Sequence, residues 1–305
     1  MSTNRHSILT ALLIILAIAV VLGSAMVIVI TSMSPSSATF FSEKIGVIPV
    51  EGVISSSQTV TSDLVKFRKD VDIKAIVLKV NSPGGAIAPS QEIYREIEKT
   101  LPVKKVVVSM GTVAASGGYY IAAAASKIVA NPGTITGSIG VIMEFVRLED
   151  LLNKIGVDLE IMKSGEFKDI GSPDRKLTQR EREILDAMIM DIQGQFEEAI
   201  VRGRRMPLER VQQIADGRIF SGARAQELGL VDVLGNFQDA VEVTKEIAGI
   251  KGDVTLVYAK KSRLEVLDLL LETGARFIAG ALRNLDGRIE YRWDGVSGVD
   301  FKGNY

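Results

Sequence analysis

The chain has no cysteine, and its 305 residues include a single histidine, His6. The lack of cysteine excludes disulfides, cysteine-ligated zinc, iron–sulfur clusters and a Cys-His catalytic pair. His6 precedes a long apolar segment and cannot reach a soluble active site, so a Ser-His-Asp triad is excluded too. We therefore expect neither a metal nor a cofactor. If this chain uses a serine nucleophile, a lysine must be the base.

An excess of one charge is also missing. The chain has 36 basic and 37 acidic residues and a net charge of -1. These charges are spread along the chain, so it has neither the basic surface of a nucleic-acid-binding protein nor an acidic tail. We expect no nucleic-acid partner.

A long apolar run near the N-terminus predicts a membrane anchor. Residues 8–30 are almost wholly apolar, and no charged residue occurs between Ser7 and Ser42. As a helix this run would span roughly 34 Å, enough for a hydrocarbon core of about 30 Å. It exceeds a secretory apolar region of about 7–15 residues, so we predict an uncleaved transmembrane helix. Cleavage near residues 24–26 or 36–38 is the alternative.

The flanks of this run predict its orientation. Arg5 precedes it, whereas Glu43 and Lys44 nearly cancel after it, so the positive-inside rule places the N-terminus in the cytoplasm. We predict a short cytoplasmic tail at 1–7, the transmembrane helix at 8–30 and a linker at 31–43. A soluble domain then follows at 44–250, and a C-terminal extension of uncertain role at 251–305.

The soluble domain alternates apolar strands with helices, which predicts an α/β fold. Residues 72–80 form a near-continuous apolar run, typical of a strand buried on both faces, and a turn follows at 81–85. Further strands are predicted at 105–110, 127–130, 158–162 and 254–259. Further helices are predicted at 90–101, 116–125 and 264–285. Thr178 and Glu181 form a predicted capping box that opens a long helix. Residues 289–305 are expected to be poorly ordered unless they dock.

Ser116 is the candidate nucleophile. It lies among small residues between a predicted strand and an alanine-rich helix, and by itself it is typical of a helix N-cap. A strand-to-helix turn also places a nucleophile at a helix N-terminus, where partial positive charge favours an alkoxide. The N–H of Gly117 is a candidate oxyanion donor. Gly84 or Gly85, in the turn on the same sheet edge, can supply a second N–H.

Lys168 is the candidate base. It lies on a loop between Gly165 and Gly171. A lysine acts as a base only when neutral, and burial or nearby positive charge lowers a lysine pKa. Most lysines are solvated surface residues, so the loop alone does not assign this role.

Three sequence blocks resemble the bacterial signal peptide peptidase SppA family. They are Asn-Ser-Pro-Gly-Gly at 81–85, Ala-Ser-Gly-Gly-Tyr-Tyr at 115–120 and Gly-Glu-Phe-Lys-Asp-Ile-Gly-Ser-Pro at 165–173. Segments at 136–141 and 217–232 are similar too, and the similarity runs in order from about 44 to 247. The chain resembles the short, single-domain form, in which nucleophile and base lie in the same repeat.

The resemblance implies a ClpP/crotonase-like fold of stacked β-β-α units, commonly assembled into oligomeric rings. It implies a Ser-Lys dyad in which Ser116 is the nucleophile and Lys168 the general base. Gly117 and one glycine of the pair Gly84 and Gly85 would then form the oxyanion hole.

An extended substrate is expected to bind against glycine-rich strands. Val141, Ile142 and Met143 are expected beside an apolar substrate pocket, and their burial in the core is the alternative.

Together these features predict a membrane-anchored serine endopeptidase that degrades cleaved signal peptides or other apolar peptides. We expect a single-pass protein of the bacterial inner membrane, in contact with the lipid bilayer, with an extracytoplasmic catalytic domain and a homo-oligomeric ring. One alternative is an NfeD-type membrane protease that cleaves apolar segments of membrane proteins. Another is a non-catalytic membrane scaffold of the same fold. A crotonase-type acyl-CoA enzyme fits less well because it would not need Lys168.

Overall fold

The computed structural model describes residues 42–259, together with Val20 and the backbone of residues 288–292. The chain divides into two compact units, Met1–Ser42 and Glu43–Tyr305. Among the described residues, no helix has the length and apolar content needed to cross a membrane. The predicted transmembrane segment 8–30 lies outside the described residues except for Val20, and the predicted helix at 264–285 lies wholly outside them.

Strands and helices alternate along the described part of the chain. Its strands are β1 (Glu43–Glu51), β2 (Ile73–Ser82), β3 (Gly84–Ala86), β4 (Lys105–Ala115), β5 (Lys127–Ala130), β6 (Ile135–Gly137), β7 (Ile142–Glu144), β8 (Ile219–Ser221), β9 (Val233–Leu234), β10 (Val254–Tyr258) and β11 (Arg288–Arg292). Its helices are α1 (Gln58–Lys69), α2 (Ile87–Thr100), α3 (Gly117–Ala123), α4 (Glu149–Ile155), α5 (Gln179–Arg204), α6 (Leu208–Gln212), α7 (Gly222–Glu227) and α8 (Phe237–Ala248).

The strands form two sheets. The main sheet has the order β10-β1-β2-β4-β5-β9, and each neighbouring pair along it is parallel. Strand β6 pairs in parallel with β4 and antiparallel with β8, so this sheet is mixed. The second sheet has the order β3-β11-β7, with both pairs antiparallel. The predicted α/β class is confirmed.

Helices cover both faces of the main sheet. On β2, Ile76 and Leu78 point into the larger core, to which α1, α2, α3 and α5 contribute. Val77, between them, packs on the opposite face with Val241 of α8. This alternation explains why the sequence of β2 is almost continuously apolar, since both of its faces are buried.

Strand β4 carries the chain to the candidate site. The sequence predicts its end at Met110, but the strand continues to Ala115. Gly111 interrupts the apolar run, and at that point the Asn81 side chain accepts a hydrogen bond from the Val113 N–H at 3.2 Å. A side-chain bond therefore supports the strand where its pairing with β2 shifts register.

One local prediction is wrong, and one helix was not predicted. Residues 158–162 form no strand, and their apolar side chains are exposed, including Met162 at 94%. Helix α1 was not predicted, although it buries Leu64 and Phe67 against β1 and β2. A five-residue alternation of apolar and polar residues forms a strand only when another strand pairs with it. No described strand pairs with residues 158–162.

Candidate active site

Ser116 lies between the end of β4 and the start of α3. Its backbone dihedrals are φ 53° and ψ -119°, a conformation that a residue with a Cβ adopts only at an energetic cost. Two hydrogen bonds hold it there. The Ser116 N–H donates to the Gly137 carbonyl at 2.8 Å, and the Tyr120 N–H donates to the Ser116 carbonyl at 2.8 Å. A serine on a strained strand-to-helix turn is the geometry that presents a hydroxyl for nucleophilic attack.

The Ser116 hydroxyl is buried and unused by the fold. Only 1% of the residue is exposed, and its Oγ has no hydrogen-bond partner among the described residues. Ser116 occupies the N-cap position of α3, yet its side chain makes no capping bond. The N-cap interpretation therefore does not account for this serine. Leaving a buried hydroxyl unsatisfied costs about 1–3 kcal/mol, a cost that a structural serine would avoid.

Helix α3 is held firmly behind Ser116. The Tyr119 hydroxyl donates to the Leu230 carbonyl at 3.0 Å in the interior. The ring of Tyr120 packs between Tyr94 and Phe196, with centroid distances of 5.2 and 4.9 Å. Such aromatic contacts fix ring orientation as well as burying area. The serine is thus carried by a helix with little freedom to move.

Gly117 brings the serine turn against the predicted oxyanion glycines. A Cβ placed on Gly117 would lie 2.7 Å from Ser90 Oγ, 3.2 Å from Gly85 N and 3.3 Å from Gly84 Cα. Only glycine permits this approach, because any side chain would collide with these atoms. The structure thus places Gly117, Gly84 and Gly85 side by side next to Ser116.

One edge of the β3 backbone is hydrogen-bonded to Ile54. The Ile54 N–H donates to the Gly84 carbonyl and the Ala86 N–H donates to the Ile54 carbonyl, both at 2.8 Å. The Gly84 N–H donates to Ser82 Oγ at 3.1 Å. Because successive residues of a strand point their polar groups to opposite edges, Gly85 presents its N–H and carbonyl to the other edge. Of the two predicted glycines, Gly85 is the better oriented donor.

That other edge of β3 pairs with β11. Tyr291 lies opposite Gly85, and Glu290 lies opposite both Ala86 and Ile142. Strand β11 therefore runs antiparallel between β3 and β7, in contact with α3, whose N-cap is Ser116. Residues 289–292, part of the segment 289–305 that was expected to be poorly ordered unless it docked, belong to this strand, which contacts the helix that follows the candidate nucleophile.

The predicted pocket residues lie on or next to β7. Val141 precedes this strand and packs against the larger core, as the alternative interpretation expected. Ile142 is exposed and Met143 half-buried, and neither belongs to a core cluster of the described residues. In the pairing of β7 with β11, Ile142 lies opposite Glu290 and Met143 lies opposite Ile289.

Lys168 is on an exposed turn at residues 166–170. Its N–H donates to the Gly165 carbonyl at 3.2 Å. Within the described residues, no hydrogen bond joins Lys168 to Ser116. The structure thus brings Ser116, Gly117 and Gly85 together and leaves the candidate base outside this group.

A charged cluster beside Lys168 was missed by the sequence reasoning. Hydrogen bonds from Arg175 and Lys163 hold the pKa of Asp169 well below its usual range. Hydrogen bonds from Arg175 and the Thr178 N–H lower the pKa of Glu181 to about 2. The capping box of Thr178 and Glu181 is present as predicted. That box was the available signal, because it places the Glu181 carboxylate at the start of α5, within reach of Arg175 three residues before Thr178.

Among the residues the structure describes, no group of three or more His, Cys, Asp or Glu side chains is arranged to hold a metal ion.

Comparison with known proteins identifies the family. The sequence profile of peptidase family S49 matches residues 98–251, which include Ser116 and Lys168, and that of Clp protease matches residues 35–134. A putative protease of Synechocystis sp. is 45% identical over 69% of this chain and 76% of its own length. The chain belongs to peptidase family S49. The predicted resemblance is confirmed, and the chain is a serine protease with a ClpP-like domain.

Two further relatives of this S49 protease are similar over more than half of the chain. A putative protease of Methanocaldococcus jannaschii is 33% identical over 73% of this chain and 74% of its own length. A protein of Enterococcus faecium named putative signal peptide peptidase SppA is 40% identical over 62% of this chain and 55% of its own length.

Proposed function

We propose that this S49 protease is a membrane-anchored signal peptide peptidase, with Ser116 as nucleophile and Lys168 as general base. The observation that carries the proposal is Ser116 itself, a buried serine with a strained backbone and no partner for its hydroxyl among the described residues. The name of the Enterococcus faecium relative supports the substrate class. Composition supports the base, since the chain has no cysteine and its single histidine precedes the apolar segment.

The proposed chemistry is acyl transfer in two halves. The Ser116 Oγ attacks the scissile carbonyl carbon while the Lys168 Nζ takes the hydroxyl proton. The N–H groups of Gly117 and Gly85 stabilise the oxyanion. The C–N bond then breaks, the amine leaves with the proton from Lys168, and an ester to Ser116 remains. Lys168 next removes a proton from water, and the water oxygen attacks the ester carbonyl. The C–O bond to Ser116 then breaks, Lys168 returns the proton to the Ser116 Oγ, and the new carboxylate leaves.

The substrate is proposed to bind as an extended strand between β3 and β7. The position of β11 supports this, because a segment of backbone already pairs there with Gly85 and Met143. Adding a strand to exposed sheet edges gives affinity through main-chain hydrogen bonds, and side-chain pockets then give selectivity. Exposed Ile142 offers an apolar contact to such a peptide.

Strand β11 and the substrate would then compete for the same position between β3 and β7. We expect deletion of residues 288–305 to lower the KM for peptides without a matching change in kcat. A docking free energy of about 1.4 kcal/mol for β11 would raise the apparent KM about tenfold in the intact chain. The measurement is steady-state peptide hydrolysis by both chains.

Deletion of residues 293–305 is the matched control, because it keeps β11 and should leave KM unchanged. Equal KM values for all three chains would argue against a shared place for tail and substrate.

The base is proposed to reach Ser116 from a second copy in a homo-oligomeric ring. The Ser116 Oγ is buried without a partner among the described residues, whereas Lys168 lies on an exposed turn, and this contrast supports a base supplied by another copy. Leu151, Leu159 and Met162, all between β7 and that turn, expose apolar side chains. Exposed apolar side chains on the segment that leads to Lys168 support burial of this segment against another copy.

The anchor and its orientation also belong to the proposal. An apolar segment at 8–30, with Arg5 on its N-terminal side, supports a single pass in the bacterial inner membrane with the catalytic domain outside the cytoplasm. Released signal peptides are apolar, and a tethered protease meets them at a raised local concentration.

The test is hydrolysis by the full-length chain in detergent micelles. We expect a synthetic signal peptide to be cleaved with higher kcat/KM than a polar peptide of equal length, and to be preferred over an intact membrane protein bearing an apolar segment. Preference for the membrane protein would favour the NfeD-type alternative. No cleavage of any of the three by folded protein would overturn the proposed function.

A further inference from the structure

We propose that Arg175 is a positioning residue that holds the carboxylate of Asp169 away from Lys168 and so keeps this lysine available as a base. The inference rests on the proposed function, in which Lys168 takes the proton of Ser116. Arg175 itself is placed outside the reacting groups, since its contacts are to Asp169, Lys176 and Glu181.

Both carboxylate oxygens of Asp169 are occupied by cations. The Lys163 Nζ donates to Oδ1 at 2.6 Å. The Arg175 Nε donates to Oδ2 at 3.1 Å, and its Nη2 lies 2.9 Å from Oδ1. Although Asp169 directly follows Lys168 in sequence, its charge is therefore directed toward two other residues.

The other end of Arg175 is fixed to the start of α5. Its Nη1 and Nη2 donate to Glu181 Oε2 and Oε1 at 2.9 and 2.6 Å. Glu181 is buried and also accepts the Thr178 N–H at 2.7 Å in the capping box. A guanidinium shared between two carboxylates in this geometry is strongly oriented, and lysine cannot reproduce it.

The carboxylate on the other flank of Lys168 is paired in the same way. The Arg180 Nη1 donates to both Glu166 oxygens at 2.8 Å, and the Arg180 guanidinium lies 5.1 Å from the Phe167 ring centroid. Lys168 itself makes no ion pair within the part of the chain that the structure describes. Both neighbouring acids are thus neutralised by other cations.

The residues that follow the turn pack beside those that follow β7, the strand proposed to bind substrate. Gly171 has φ 83°, and a Cβ added to it would lie 2.4 Å from the Phe145 ring. The Leu148 N–H donates to the Pro173 carbonyl at 2.6 Å. Since Phe145 directly follows β7, the base turn and the peptide edge are parts of one braced structure.

The charges explain why this bracing matters for a lysine base. The charged groups around the turn are Lys163, Glu166, Asp169, Arg175, Arg180 and Glu181. A carboxylate released near a lysine favours the ammonium form and so raises the pH at which the lysine can accept a proton. With Arg175 in place, the carboxylate of Asp169 stays paired with Lys163 and Arg175.

The test is the pH–rate profile of the full-length chain with a signal peptide substrate. In this profile kcat/KM rises with pH as the lysine base loses its proton, and this rise is called the basic limb here. Arg175→Met should move the basic limb to higher pH by about one unit. At a pH below the limb, kcat/KM should then fall about tenfold while KM changes little. Adding Asp169→Asn to this variant should return the limb to its original position. A merely structural role of Arg175 predicts no such return.

Control variants keep the test decisive. Arg224→Met removes an exposed ion pair with Glu227 and should leave the profile unchanged. If Arg175→Met fails to fold, Asp169→Asn alone should move the limb downward, because Lys163 and Arg175 then lack their carboxylate. An unmoved limb in folded Arg175→Met, or an upward shift in Asp169→Asn, overturns the inference. Full activity of Lys168→Ala would instead overturn the dyad itself, so the two failures are distinguishable.

Discussion

Replacing Ser116 with alanine should lower kcat/KM for peptide hydrolysis by about 10⁴-fold or more. The substitution removes the one atom that forms the acyl bond, and the oxyanion donors alone retain only a small residual rate. Peptide affinity should be unchanged, because the edges of β3 and β7 remain intact. Steady-state kinetics and a binding titration with the same peptide measure the two effects separately.

The fold of this variant should be at least as stable as the native one. Alanine removes a buried hydroxyl that has no partner among the described residues. Ser116→Gly should be equally inactive and should have a higher Tm, because glycine relieves the strain at φ 53°. Ser109→Ala, at another buried serine of β4, is the matched control and should retain activity. Substantial turnover by folded Ser116→Ala would exclude this serine as the nucleophile.

The parts of the fold that local sequence encodes were predictable. The run at 72–80 is apolar on both faces because β2 is covered by helices on both sides, and its sequence carries that information without reference to distant residues. The capping box of Thr178 and Glu181 is likewise local, since its partners are three residues apart.

The second sheet was not predictable in this way. Residues 84–86 read as part of a glycine turn, yet they form β3 because β11 pairs with them from about 200 residues away. Strand β7 depends on the same partner. A strand that forms by pairing with a distant segment has no local alternation of apolar residues strong enough to predict it.

The candidate site likewise has one part that the local sequence indicates and another that depends on contacts between distant residues. Ser116, Gly117 and Gly85 lie beside one another in the structure, and the sequence could indicate this because all three follow core strands. The missing contact between Lys168 and Ser116 was not foreseen, since sequence order gives no distance between two loops. Arg175 was missed because its role depends on a cluster formed in three dimensions.

Replacing Lys168 with alanine should lower kcat/KM by about 10²–10⁴-fold, the range expected for loss of a general base. The chain offers no histidine or cysteine in the described domain to replace it. Because the loss is confined to proton transfer, the basic limb of the native pH–rate profile should disappear along with the activity. Lys154→Ala, on α4, is the control lysine and should behave as the native protein. Unchanged turnover in folded Lys168→Ala would remove lysine from the mechanism.

Mixing inactive chains then tests how the base arrives. If Lys168 of one copy serves Ser116 of another, an equal mixture of Ser116→Ala and Lys168→Ala chains, assembled together, should recover roughly a quarter of native activity by random assortment. We expect this recovery, because the Ser116 Oγ has no partner in the described part of its own chain and the turn of Lys168 is braced by Arg175 to α5. A mixture that stays inactive, although light scattering confirms mixed oligomers, would mean that the turn closes onto Ser116 within its own chain.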